Sequence, residues 1–117
     1  MKLLPIKPTV KLEDLEKIDI RIGLIEKVEN IAGSDKLVRL TVDFGDFKRK
    51  ILVGLKKERQ NPQEIASKQA LFVVNIEPRK MMGELSEGML FDIGFLNEII
   101  PVLSVPEKPV PNGVSAG

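Results

Sequence analysis

Apolar side chains recur at every second position in several short stretches of the chain, the period of a half-buried β-strand. Ile18, Ile20, Ile22 and Leu24 alternate with Asp19, Arg21 and Gly23, which predicts a first strand that curves at the glycine through a bulge or sharp bend. Val38, Leu40, Val42 and Phe44 alternate with Arg39, Thr41 and Asp43, the clearest strand in the sequence. Gly45-Asp46 then leads into residues 47–53, where Phe47, Ile51 and Val53 share a face that Arg49 interrupts. These two runs are expected to pair through a tight turn. Residues 69–76 and 89–91 are a fourth and a fifth apolar run, the latter reaching toward Phe95. Residues 99–103 make a sixth, at a sheet edge because Pro101 lacks the amide that a central position needs.

The alternation fails in three places. Residues 1–10 contain Pro5 and Pro8 and read as an extended arm, leading to Leu12, Leu15 and Ile18, whose spacing suggests one or two helical turns forming a short lid. Between residues 56 and 67, Asn61-Pro62 followed by Gln63 and Glu64 is a helix start. Residues 77–87 are polar, carry Pro78 and Gly83, and read as a loop. Five short strands with a helix between the third and fourth is the order of an OB-fold, a partly open barrel whose loops one-two and four-five flank an oligonucleotide groove. Those loops are residues 31–36 and 77–87. The chain is therefore read as all-β with short helices: an arm over residues 1–11, a five-stranded OB-fold barrel over 12–95, and a C-terminal extension over 96–117. One domain suits the 117 residues. The extension carries Ile99, Ile100, Val102, Leu103, Val105 and Val110, which need apolar surface to cover. A two-fold homodimer, with tail and arm on the other protomer, is expected to provide it.

Charge adds a location. Lys plus Arg is 18 against 17 Asp plus Glu, but the balance is −1 over residues 1–35, +5 over 36–59 and −3 over 60–117. The basic block holds Lys36, Arg39, Lys48, Arg49, Lys50, Lys56, Lys57 and Arg59, on and beside the second and third strands. It predicts a phosphate or nucleic-acid surface there, with Lys36, Arg39, Lys48, Arg49 and Lys56 as candidates. Arg79 and Lys80 lie in the four-five loop, where a guanidinium can grip a phosphate bidentately and an ammonium can act as a point charge. The absence of cysteine and histidine removes disulfides, thiolate nucleophiles, the usual zinc ligands and every imidazole base. No cofactor or metal site is expected. Tryptophan and tyrosine are absent too, and Phe44, Phe72 and Phe91 sit among aliphatics as expected core, so base stacking should contribute little. No apolar run approaches a membrane span and residues 1–5 do not form a secretory signal, so a soluble, cytoplasmic protein is expected.

Read together, Asp19-Ile20-Arg21-Ile22-Gly23, Ser34-Asp35-Lys36-Leu37, Val42-Asp43-Phe44-Gly45, Asn75-Ile76-Glu77-Pro78-Arg79-Lys80-Met81-Met82-Gly83 and Ser86-Glu87-Gly88-Met89-Leu90 carry a family resemblance. They are similar to the tRNA-binding domain found free-standing in prokaryotes, at the C-terminus of methionyl-tRNA synthetases, and in the endothelial monocyte-activating polypeptide precursor. The resemblance covers about residues 12–113, and Val110-Pro111-Asn112-Gly113 is similar to the tail of dimeric members. It implies an OB-fold that binds tRNA by shape, without catalysis, usually as a homodimer, with a synthetase such as methionyl-tRNA synthetase as a further partner. On matching positions it implies binding by Lys36, Asn75, Arg79, Lys80, Met81, Ser86 and Met89. One departure is the basic Lys56-Lys57-Glu58-Arg59, where many relatives have a less charged stretch leading to a Tyr-x-Pro turn.

Each candidate also has a structural reading. Asp35, in the turn after Ser34, is expected to hold backbone amides and so position Lys36. Ser86 fits equally a donor to phosphate or sugar and an internal hydrogen bond. Met81, Met82 and Met89 could lie against a base, although filling gaps in a barrel is the commoner use of methionine. A similar domain serves some bacteria as a protein-binding export chaperone, the alternative function. An enzyme using Asp43 or Glu87 as base is the remaining one, with no nucleophile, metal set or phosphate loop behind it.

Overall fold

In the computed structural model, which describes residues 1–117, the first strand runs well past its predicted end. Strand β1 spans Ile20–Asn30 and serves two neighbours: residues 20–24 pair with β4 (Gln69–Val73) and residues 24–30 with β2 (Val38–Asp43), both antiparallel. The register slips between Ile25 and Lys27, so the bulge lies beyond Gly23. Gly23 has another use. A Cβ there would collide with the Val42 and Phe44 side chains, and its absence lets β1 cross close over the barrel interior. Since Gly23 and the fully buried Ile25 face inward, the alternating Ile20, Ile22 and Leu24 occupy the outer face of β1. The period identified the strand and the wrong side of it, because both sides are covered.

The second run behaves as its pattern predicts: Val38, Leu40, Val42 and Phe44 are at most 1% exposed. Strand β3 (Lys48–Val53) pairs with β2 from Val38↔Val53 to Asp43↔Lys48. Phe47 stacks on Phe44 at 5.1 Å, and Phe72 meets Phe44 edge-on at 5.6 Å. The predicted helix is a single 3₁₀ turn, Pro62–Ile65, opened by its proline and plugging the core with Ile65. Residues 77–87 are a hairpin rather than an irregular loop. Strands β5 (Arg79–Met81) and β6 (Glu84–Ser86) are joined by Met82-Gly83, both at positive φ (51° and 77°), the conformation of a two-residue type I′ turn. The fifth apolar run shortens to β7 (Met89–Leu90), giving the sheet order β3-β2-β1-β4-β7. Phe91, expected in the core, is exposed.

The termini differ most from expectation. Helix α1 (Leu12–Leu15) is one turn with no buried residue, so it does not act as a lid on its own barrel. The sixth strand expected at residues 99–103 is reduced to a single bridge between Ile93 and Val102. The sheet is extended instead by β8 (Ser115–Ala116), which pairs with Ile20 and Arg21 of β1. Beside it, the Ile22 N–H donates to the Val114 carbonyl (3.0 Å) and the Gly113 N–H to the Ile22 carbonyl (2.8 Å). The Gln69 side-chain amide clasps the same segment, donating to the Val110 carbonyl (2.6 Å) and Asn112 Oδ1 (2.8 Å) and accepting from the Val110 N–H (3.1 Å). Gly113 is required there: its φ is +92° and a Cβ would strike the Phe44 carbonyl.

Candidate nucleic-acid interface

The β1–β2 loop and the β5–β6 hairpin meet at one mouth of the barrel and enclose a groove of about 380 Å³. Lys36 reaches it from the loop, Arg79 and Met81 from β5, Met89 from β7, and Phe95 from the 3₁₀ turn Phe95–Asn97. The Lys36 loop is set by Ser34, whose Oγ accepts from the backbone N–H of Leu37 (2.9 Å) and Lys36 (3.3 Å). Asp35, expected in that role, stands in solvent 4.0 Å from Lys57. Lys56 completes the loop by donating from Nζ to the Ser34 carbonyl (2.6 Å) and from its N–H to the Lys36 carbonyl (3.1 Å). Gly54 leaves room for the Lys36 stem, since a Cβ would approach Lys36 Cε to 2.9 Å.

The hairpin is latched to the barrel by ions and one hydroxyl. The Arg39 guanidinium forks onto Glu84 through Nε (2.6 Å) and a terminal nitrogen (2.5 Å), with Glu29 behind at 3.7 Å. This bond raises Arg39 above its ordinary range and, despite some desolvation, holds the Glu84 carboxyl below its own. Ser86 is buried; its Oγ accepts from the Leu52 N–H (3.0 Å) and donates to the Gly88 carbonyl (3.3 Å). Arg49 lies over the Phe47 ring at 5.0 Å and donates to the carbonyls of Val74 (3.2 Å) and Glu87 (2.9 Å). The Glu87 N–H donates to the Lys50 carbonyl (2.8 Å). These bonds join β3 to β6 and the segment before β7, where the strand ladder is interrupted, and so close the barrel.

The basic block is consequently engaged for the most part. Besides Arg39 and Arg49, Lys48 pairs with Glu26 at 3.0 Å, which raises its pKa, and Arg59 with Glu64 at 2.6 Å. Asn75 holds the link between α1 and β1: its Oδ1 accepts from the Asp19 N–H (2.8 Å) and its Nδ2 donates to the Lys17 carbonyl (2.7 Å). Lys36, Arg79 and Lys80 carry no ion pair and are exposed. Of the candidates, the groove brings together Lys36, Arg79, Met81, Ser86 and Met89; Lys80 sits on the same hairpin, while Arg39, Lys48, Arg49, Lys56 and Asn75 lie outside the lining. Met89 is 41% exposed rather than buried.

The sequence reading missed two half-buried acids that line this groove, Glu58 and Asp92. Burial pushes both carboxyls up; the Asp92 charge raises Glu58 further, while Arg59 and Lys36 pull it down. The signal was faint: Glu58 is the one acid in the run Lys56-Lys57-Glu58-Arg59. No three acids converge in a way that could hold a metal ion.

A barrel of this strand order, with unpaired cations on two loops at one mouth, defines an OB-fold of the kind that presents a groove to an oligonucleotide. The chain belongs to the family described as "Putative tRNA binding domain", whose model matches residues 20–115. Among solved structures it is similar to a methionyl-tRNA-synthetase-related protein from Pyrococcus horikoshii, at 31% identity and a TM-score of 0.86, covering 95% of this chain and all of that one. It is also similar to the chaperone CsaA from Bacillus anthracis, at 27% identity and a TM-score of 0.76 over 94% of this chain and all of that one. The C-terminal domain of Plasmodium vivax p43 matches at 27% identity and a TM-score of 0.76, over 89% of this chain and 62% of that one.

Proposed function

We propose that the protein is a tRNA-binding module without catalytic activity that holds folded RNA at the groove mouth through Lys36, Arg79 and Lys80. The observation that carries this reading is that Lys36, Arg79 and Lys80, on the two loops that flank the groove, are exposed with no salt bridge, while Arg39, Lys48 and Arg59 of the basic block are paired with acids and Arg49, Lys50 and Lys56 bond within the fold. Phosphate contacts by these three would fix the RNA, with Met81 and Met89 as adaptable apolar surface beside it. The ion pairs of Arg39 and Lys48 and the internal bonds of Arg49, Ser86 and Asn75 support a role for those residues in building the site. The working form is a homodimer in the cytoplasm, supported by the exposed Met1, Leu3 and Ile6 of the arm and the exposed Leu96 and Ile100. The arm and residue 97 are already tied together by Lys2 N–H to the Asn97 carbonyl (2.8 Å) and Asn97 Nδ2 to the Lys2 carbonyl (2.9 Å). Such a dimer would carry two grooves and act as an accessory to an aminoacyl-tRNA synthetase, raising its local tRNA concentration. A gel-shift series with tRNA, unstructured RNA of equal length and an unfolded polypeptide tests the reading. Retention of tRNA before the other two is expected; preference for the polypeptide would replace this function by the chaperone one.

A further inference from the structure

Acids do not belong in a groove that merely collects phosphate, and three line this one: the exposed Glu77 and the half-buried Glu58 and Asp92. Glu58 follows β3 and Asp92 follows β7; both side chains line the same 380 Å³ space as Lys36 and Arg79. Neither carboxylate makes a salt bridge or a side-chain hydrogen bond, although Lys36 and Arg79 line the same space. Neither acid is locked onto a cation by a salt bridge, and apart from a hydrogen bond from the Asp92 backbone to its own carboxyl their oxygens remain free to accept. Leu55, Leu90, Met89 and Phe95 share the lining with them, so part of the groove is apolar. Its volume is in the range that small-molecule ligands occupy.

A carboxylate accepts hydrogen bonds and repels phosphate, so its partner in an RNA ligand is a base edge carrying N–H donors. Uracil offers one N–H between two repelling carbonyls. Adenine and cytosine offer one amino group beside an acceptor nitrogen. Guanine alone offers two adjacent donors, N1–H and the N2 amino group, which match the two oxygens of one carboxylate, and next to them an O6 acceptor that suits an ammonium or guanidinium. We propose that the groove is a pocket for the Watson–Crick edge of an unpaired guanine, with Asp92 or Glu58 accepting from N1–H and N2, Lys36 or Arg79 donating to O6, and the methionines and Phe95 against the base face. This rests on the RNA-binding reading above and adds base recognition to it. Unpaired bases in loops and at ends are where RNA exposes that edge.

The test uses the full-length protein and uridine hexamers in which one central nucleotide is guanosine, inosine, adenosine, cytidine or uridine, with binding read by fluorescence anisotropy. Guanosine should bind about tenfold tighter than uridine, a ratio typical of one bidentate base contact, and inosine, which lacks the N2 amino group, should fall between. Asp92→Asn or Glu58→Gln should bring the guanosine-to-uridine ratio toward one. No guanosine preference in the natural protein overturns the pocket. So does a uniform gain in affinity for every hexamer in both variants with the ratio kept, because the acids would then only repel backbone. Failure of the protein to bind tRNA in the gel shift overturns the RNA-binding reading itself, whereas tRNA binding without hexamer discrimination overturns the pocket alone.

Discussion

At the scale of single residues, the groove separates side chains that build from side chains that reach out. Ser86 is of the first kind: removing its hydroxyl leaves the buried Leu52 N–H without a partner. Ser86→Ala is expected to cost about 1–3 kcal/mol of stability, seen in a urea or thermal melt, with RNA affinity little changed while the protein is folded. Arg79 is of the second kind. Arg79→Ala should weaken all tRNAs alike by roughly 1–3 kcal/mol and leave the melting temperature in place. A normal affinity in that variant would remove the hairpin from the binding surface. The sequence made the distinction for neither. Charge marks Arg39 as strongly as Arg79, and only the fold reveals that Glu84, forty-five positions away, occupies the former. Gly23 was legible as special, but the close approach it permits depends on Val42 and Phe44 from another strand.

At the scale of elements, strands with an uninterrupted two-residue period were legible, as β2 shows, and those set by turn geometry or tertiary contact were not. The β5–β6 hairpin has a polar sequence with little strand propensity; it forms because Met82-Gly83 takes the left-handed turn and Arg39 and Ser86 anchor its second strand. Its anchoring depends on pH. The folded-state pKa of Glu84 lies below the ordinary value, so the pair stabilises the fold above the ordinary carboxylate range and that contribution is lost as pH falls through the lowered value. Glu58 and Asp92 have raised values, so their ionisation works against folding near neutrality and is relieved as pH falls through those values. Thermal melts should therefore show stability rising slightly from neutral pH into the upper carboxylate range and declining below it. Glu84→Gln should remove part of the decline, and the double variant Glu58→Gln, Asp92→Asn should remove the rise. Amide exchange across residues 79–86 should quicken in Glu84→Gln if the fork holds the hairpin.

At the scale of the whole molecule, binding and assembly are each open to one measurement. If about five phosphates are neutralised per protomer, log K should fall against log salt with a slope of roughly −4; an affinity that does not respond to salt would contradict phosphate contacts. Ending the chain after Phe95 removes β8 and the Val110 and Asn112 partners of the Gln69 clasp. The product should be insoluble or markedly less stable, and a truncated protein that melts like the full chain would show the clasp to be unimportant. Light scattering at micromolar concentration decides the dimer. The tail's role was illegible because its prolines break any periodic pattern, and the contacts that place it are backbone bonds to Ile22 and the one amide of Gln69.

Pairing of Ile20 with Ala116 also bears on how the chain reaches its fold. While it is being synthesised, β1 emerges first and β2 and β4 can join it in turn, but the outer flank of residues 20–22 stays bare until residues 113–116 follow. Contacts between positions so distant in sequence form late and slowly, and an open strand flank is a template for pairing with another nascent chain. Growing chains should thus be most prone to aggregation, and most in need of a chaperone, in the interval between the emergence of β7 and that of β8.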